Sequence, residues 1–144
     1  MKKIAVINGP NLNMLGKRES QIYGNKPLDE INNELKEIAG NNEIDISFFQ
    51  SNHEGKLIDY IQENYETWDG LIINPGGLTH TSIVLRDAIL LLDIPIMEVH
   101  LSNIYAREEF RHKSLLRDIV TGHICGLSSF GYISALHYLI QKLN

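Results

Sequence analysis

The stretch that decides the fold is Ile4-Ala5-Val6-Ile7-Asn8-Gly9-Pro10, an apolar run that ends in three residues typical of a turn. β-Branched residues favour strands. A run that is apolar at every position indicates a strand covered on both faces, as in a parallel sheet. The stretch therefore predicts a buried strand that is followed at once by a loop.

Four more apolar runs follow, and helical patterns separate them. This alternation predicts an α/β chain with a flavodoxin-like, doubly wound sandwich around a five-stranded parallel sheet. A length of 144 residues fits one domain, so we expect residues 1–144 to form a single domain. The candidate strands are residues 4–7, 44–49, 70–73, 94–99 and 119–124.

Three of the helical patterns are amphipathic. The first helix is predicted to open with Pro27 and to stop at Gly40, and the second to be capped by Ser51 or Asn52. The side chains expected to be buried are Leu28, Ile31, Leu35 and Ile38 in the first helix, Leu57, Ile58 and Ile61 in the second, and Ile133, Leu136, Ile140 and Leu143 in the last.

The third helical pattern is apolar nearly all the way round, over residues 83–85 and 88–92. One sheet covers only one face of a helix, so we expect another subunit to cover the rest. The alternative is a central helix that is covered within its own chain. Arg86 and Asp87 interrupt the apolar pattern and are expected at a subunit boundary or near a ligand.

The overall composition restricts the partners. The net charge of -5, with the basic residues scattered, gives no positive field for nucleic acid. The single cysteine, Cys125, excludes an internal disulfide. The apolar stretch near Met1 is too short for a signal sequence or a membrane span, so we expect a cytoplasmic protein without a membrane partner.

Ligands of doubly wound sheets bind outside the carboxyl ends of the strands. The first such loop, residues 8–24, is longer than the usual two to six residues and carries Arg18 and Tyr23. A tyrosine is a useful base as the phenolate, which a nearby cation such as Arg18 would stabilise. The alternative is a solvated loop in which Tyr23 only packs.

The loops after the third and fourth strands also carry polar groups. Residues 74–81 precede a helix and suit an anion or a polyol, although their hydroxyl groups could simply cap that helix and leave His80 on the surface. Glu98 and His100 lie two residues apart and share one strand face, as a general acid or base and its partner would. The alternative is a buried structural pair.

No sequence motif for a metal or a nucleotide is present. The six histidines form no HExxH motif, and neither GxGxxG nor a Walker lysine occurs. We therefore expect a protein without metal or cofactor.

Several motifs together resemble the type II 3-dehydroquinate dehydratase family, over essentially the whole chain. Each motif is modest alone, but their order and spacing together are specific. They are Asn8-Gly9-Pro10-Asn11-Leu12-Asn13, Arg18-Glu19, Tyr23-Gly24, Asn74-Pro75-Gly76, Thr79-His80-Thr81-Ser82, Glu98-Val99-His100, Ser102-Asn103 and Ala106-Arg107-Glu108-Glu109-Phe110-Arg111-His112-Lys113-Ser114.

The resemblance implies a lyase of the shikimate pathway, which serves aromatic amino acid biosynthesis. The reaction would be anti elimination of water from 3-dehydroquinate through an enolate, giving 3-dehydroshikimate. Tyr23 would accept the proton, and Arg18 would stabilise the transition state. His100, oriented by Glu98, would donate a proton to the leaving hydroxyl, and Asn11 would position a water at the enolate oxygen.

The same resemblance implies the substrate-binding residues and the assembly. Asp87 would reach into the site of a neighbouring subunit, in a dodecamer built from trimers. A flavodoxin-like module that binds a small molecule or a flavin without catalysis is the alternative, although Pro10 removes an N–H from its phosphate loop. The implied substrate-binding residues are Asn74, His80, Asp87, Leu101, Ser102 and Arg111.

Overall fold

The chain folds into a parallel sheet with helices on both faces. The computed structural model describes residues 1–17 and 20–144, and within them the sheet has five strands in the order β2-β1-β3-β4-β5. This order is that of a doubly wound flavodoxin-like sheet, so the predicted fold class is confirmed. The strands are β1 (Lys2–Asn8), β2 (Ile44–Gln50), β3 (Gly70–Asn74), β4 (Ile96–His100) and β5 (Gly122–Cys125).

Helices follow most of the strands, as the apolar pattern predicts, with two differences. The helices are α1 (Ser20–Tyr23), α2 (Leu28–Asn41), α3 (Glu54–Asn64), α4 (Ile83–Ile89) and α5 (Phe130–Leu143). The short helix α1 lies in the segment predicted as a loop, and β4 and β5 are joined by a segment that holds the 3-10 helices Ile104–Ala106 and Glu109–Arg111. One core packs α2 and α5 against the sheet, and a second core packs α3 and α4 against the other face. No helix in the described part of the chain is both long and apolar enough to cross a membrane.

Some boundaries differ from the prediction. β4 begins two residues later than expected, after Pro95, which has no N–H to donate to a ladder. β5 begins at Gly122 because the chain before it turns at residues 117–119, where the Ile119 N–H binds the Leu116 carbonyl. The predicted cap of α3 is wrong, since Ser51 Oγ accepts from the His53 N–H ahead of the helix.

The third helical pattern is partly uncovered in the chain. In α4, Leu85, Ala88 and Ile89 are buried against the sheet. Ile83, Val84, Leu90 and Leu91 are exposed, with 63% of Ile83 and 57% of Leu90 accessible. These four residues are called the α4 apolar surface below. The alternative of a helix covered within its own chain is therefore wrong.

The carboxyl ends of β1 and β3 are joined through close backbone contacts. Gly9 donates its N–H to the Asn74 carbonyl at 2.8 Å, and a Cβ on Gly9 would lie 2.3 Å from the Pro75 oxygen. Gly76 has a φ of +61°, and a Cβ added to it would lie 2.9 Å from the Pro10 oxygen. The loops after β1 and β3 therefore meet only because both positions lack a side chain.

Candidate active site

A cavity of about 160 Å³ opens at the carboxyl ends of β1, β3 and β4. Its position agrees with the binding rule for doubly wound sheets. Loops that are far apart in the sequence contribute its walls, and these loops carry most of the candidate site residues. The lining residues are Pro10, Asn11, Leu12, Leu15, Tyr23, Asn74, Gly76, Gly77, His80, His100, Leu101, Ser102, Ile104 and Arg111.

Glu98 and His100 form a buried pair at the end of β4. Glu98 is 0% exposed and His100 is 5% exposed, and His100 Nε2 lies 2.6 Å from Glu98 Oε2. Burial alone would raise the pKa of the Glu98 carboxyl, but hydrogen bonds from His100 and Ser114 and the nearby Arg117 charge hold it below its usual range. Since an ionised carboxylate only accepts, Nε2 carries a hydrogen and Nδ1 is left for exchange with a ligand.

Ser114 holds the other side of the Glu98 carboxylate. Its hydroxyl donates to Glu98, at 3.0 Å from Oε1 and 3.2 Å from Oε2. The same oxygen accepts the backbone N–H groups of Leu116 and Arg117 at 3.0 and 3.1 Å. The only hydroxyl hydrogen of Ser114 is therefore directed at Glu98, which orients the carboxylate toward His100.

His80 stands beside His100, with 6.4 Å between the ring centroids. Its Nδ1 donates to the Lys113 carbonyl at 2.7 Å, because a carbonyl can only accept. Burial lowers the pKa of His80, although the Lys113 hydrogen bond acts in the opposite direction. The ring is therefore neutral at neutral pH, and Nε2 is an acceptor that suits a ligand hydroxyl.

Asn11 and Asn74 bring two amides to the cavity. Asn11 has a left-handed backbone with φ of +71°, and its N–H donates to Asn52 Oδ1 at 2.9 Å. Asn74 is buried, and its Oδ1 accepts the Gly76 N–H at 3.1 Å. The Asn74 amide is thus held in place at the carboxyl end of the sheet, and Asn11 is anchored there through its backbone.

Tyr23, the last residue of α1, also lines the cavity. The guanidinium carbon of Arg107 lies 5.1 Å from the centre of the Tyr23 ring, within the range of a cation–π contact. Arg107 Nη1 also donates to Ser102 Oγ at 3.2 Å. Arg107 thus connects the phenol to the loop after β4 and places a positive charge beside it.

The sequence matches the model of one protein family, described as dehydroquinase class II, over residues 2–140. The chain belongs to the class II dehydroquinase family. The resemblance predicted from the sequence motifs is thereby confirmed, and the flavodoxin-like binding module is not favoured.

Similar proteins match the chain over nearly its whole length. The 3-dehydroquinate dehydratase of Halothermothrix orenii is 51% identical over 144 residues, which are 100% of this chain and 97% of that protein. That of Francisella philomiragia subsp. philomiragia is 56% identical over 141 residues, covering 98% and 96%. The crystal structure of type II dehydroquinase from Butyrivibrio crossotus has a TM-score of 0.93 and 47% identity, covering 96% of this chain and 97% of that one.

Most of the residues predicted for a dehydroquinase site meet in this cavity. Glu98 does not line the cavity itself but is hydrogen-bonded to His100, which does. Asp87 lies elsewhere, exposed on α4, while Arg86 binds both carboxylate oxygens of Asp118 in the same chain. Arg18 lies outside the described residues. The predicted residues that line the cavity are Asn11, Tyr23, Asn74, His80, His100, Leu101, Ser102 and Arg111.

Three residues in contact with the predicted site residues are not predicted individually by the sequence. Ser114 binds Glu98, Arg107 contacts Tyr23, and Tyr132 binds Asn74. Ser114 and Arg107 belong to a motif that matches the family, but the motif alone gives them no role. Tyr132 carries one weak signal, because it is the residue with a polar group on the buried face of α5.

Proposed function

We propose that this chain dehydrates 3-dehydroquinate to 3-dehydroshikimate in the shikimate pathway. The proposal includes one catalytic domain over residues 1–144, a cytoplasmic location, and a reaction without metal or cofactor. Membership of the dehydroquinase family supports the reaction. The observation that carries it is that Tyr23 and His100, a phenol and an imidazole, line the same cavity.

The elimination begins with a proton transfer to Tyr23. As a phenolate, its oxygen takes the proton alpha to the substrate ketone, and the electron pair of the broken C–H bond forms the enolate. The Arg107 guanidinium over the ring supports this role, because it places a positive charge near the group that is proposed to carry negative charge. Arg18 is proposed as a second cation that stabilises the transition state.

The enolate needs hydrogen-bond donors at its oxygen while it exists. We assign Asn11 the positioning of a water molecule at this oxygen, since its backbone is anchored to Asn52 at the wall of the cavity. A donor that is already in place stabilises developing negative charge without reorganisation during the reaction.

The second step breaks the C–O bond on the opposite face of the ring. The enolate electrons form the C=C bond, and the hydroxyl leaves as water with a proton from His100. Glu98 supports this step because its carboxylate holds Nε2 and stabilises the imidazolium that donates from Nδ1. Proton loss and proton gain balance, so the net products are the enone and one water.

The substrate is proposed to bind through its carboxylate and ring hydroxyls. The carboxylate would bind to the Asn74 amide and to the backbone around Leu101 and Ser102. The ring hydroxyls would bind to His80 and Arg111. The neutral His80 ring supports an acceptor role for its Nε2. Arg111 lines the cavity and is held by Glu108, with Nε 3.2 Å from Oε2.

The proposed assembly is a dodecamer built from trimers, in which Asp87 reaches a neighbouring site. The exposed apolar residues of α4 support a second copy of the chain as the cover, because a patch of this kind is costly in water. Asp87 lies within this helix and is itself exposed. A neighbouring copy that covers the helix would therefore come into contact with Asp87 as well.

The reaction is tested by ultraviolet absorbance of the conjugated enone after 3-dehydroquinate is added. Absorbance should rise equally with and without a chelator. Borohydride with substrate should leave the enzyme active, because no lysine is among the described residues that line the cavity and no imine is proposed. Absence of enone would refute the function, while inactivation by borohydride would refute the mechanism.

A further inference from the structure

The side chain of Tyr132 lies at the centre of a buried hydrogen-bonded chain beneath the cavity. Tyr132 is 0% exposed, and its hydroxyl donates to Asn8 Oδ1 at 2.5 Å. The same oxygen accepts a hydrogen from Asn74 Nδ2 at 2.9 Å. The phenol therefore connects Asn8, which does not line the cavity, to an amide that does.

The fold brings these three side chains together from different elements. Asn8 and Asn74 end neighbouring parallel strands and are paired in the register of β1 and β3. Tyr132 comes from α5, which approaches the sheet closely at Gly131, where a Cβ would lie 3.3 Å from a methyl carbon of Val99. The hydroxyl thus reaches the gap between two strand ends, where two buried amides need partners.

The direction of the hydrogen bonds fixes the orientation of the Asn74 amide. A phenol has one hydrogen, which Tyr132 donates to Asn8, so it can only accept from Asn74. Burial raises the pKa of Tyr132, which keeps this hydrogen in place. Asn74 Oδ1 in turn accepts from the Gly76 N–H. If the Asn74 amide were flipped, its oxygen would face the Tyr132 oxygen and its NH2 group would face the Gly76 N–H.

We propose that Tyr132 is a positioning residue for substrate binding, which holds Asn74 so that its second Nδ2 hydrogen is offered to the substrate carboxylate. This inference rests on the proposed function, in which Asn74 binds that carboxylate. Without the hydroxyl, only the Gly76 N–H still holds the amide, so it rotates more readily and can offer its oxygen, which repels a carboxylate. Tyr132 then affects affinity for the substrate rather than the chemical step.

The first test is Tyr132→Phe, which removes one oxygen and keeps the ring that packs in the core. KM should rise about five- to tenfold, as expected for losing an oriented hydrogen bond, while kcat stays within about twofold. Tyr138→Phe is the matched control, because Tyr138 lies on the same helix and is 40% exposed. Its KM should equal that of the wild type.

The second test repeats the substitution in an Asn74→Ala background. If Tyr132 acts through Asn74, Tyr132→Phe should leave KM of the Asn74→Ala variant unchanged. An equal rise of KM in both backgrounds, or an unchanged KM in the single variant, would overturn the proposal. A residue with only a structural role would lower the melting temperature without this dependence on Asn74.

A variant that fails to fold is replaced by Asn8→Ala, which removes the acceptor that orients the Tyr132 hydroxyl. KM should rise for this variant too, and an unchanged KM would overturn the proposal. These outcomes are separate from failure of the proposed function, in which the wild-type protein itself would form no enone.

Discussion

The Nε2 atom of His100 lies 2.6 Å from Oε2 of Glu98, and both side chains are buried at the carboxyl end of β4. A charged carboxylate without its partners would be costly at this depth. The stability of the fold therefore depends on the hydrogen bond between Glu98 and His100, the proposed acid.

Replacing Glu98 with Gln should change how stability depends on pH. The pKa of Glu98 is held below its ordinary value of 4.5. A depressed pKa contributes stability that is present above pH 4.5 and is lost as the pH falls through the folded-state pKa. In urea unfolding, the stability difference between wild type and Glu98→Gln should therefore shrink between pH 7 and pH 3. A difference that stays constant over this range would contradict the assignment.

Removing the hydroxyl of Ser114 should change the pKa of the Glu98 carboxylate, because Ser114 donates a hydrogen bond to it. Ser114→Ala deletes a donor that lowers the pKa of Glu98, so the pKa rises. The acid limb of the kcat profile should move to higher pH, and kcat should fall roughly tenfold. Ser134→Ala, at a half-buried position on α5, serves as the control. An unchanged acid limb would show that Ser114 does not act through Glu98.

The positive charge of Arg107 should contribute more to turnover than the shape of its side chain does. Arg107→Leu removes the guanidinium over the Tyr23 ring and should lower kcat about 10- to 100-fold. Arg107→Lys retains a cation and should keep more of the activity. Steady-state kinetics of the two variants decide the point, since equal losses would argue against an electrostatic role.

The α4 apolar surface should be the place where subunits meet. Leu91→Lys puts a charge on a residue that is 49% exposed in the chain, so the assembly should lose mass in light scattering. Gln141→Lys, at an exposed position of α5, adds the same charge elsewhere and should leave the mass unchanged. The same mass for both variants would place the subunit contact on another surface.

Local patterns predict the five strands and the loops of the site because burial and turn formation depend on residues that are close in the sequence. Pro95 and the turn before Gly122 shift two strand starts, since backbone hydrogen bonding, not hydrophobicity, sets those boundaries. The partners of the predicted site residues are harder to predict. Tyr132 meets Asn8 across 124 positions, and no periodic pattern records so distant a contact.

The most direct measurement of the central claim is the turnover of 3-dehydroquinate by Tyr23→Phe. This variant keeps the ring near Arg107 but has no hydroxyl to accept a proton. Enone formation should fall at least about 100-fold, because general-base catalysis contributes on the order of 10²- to 10⁴-fold. Tyr65→Phe, at a position that is 41% exposed, should keep full activity. Wild-type turnover by a folded Tyr23→Phe protein would contradict the account.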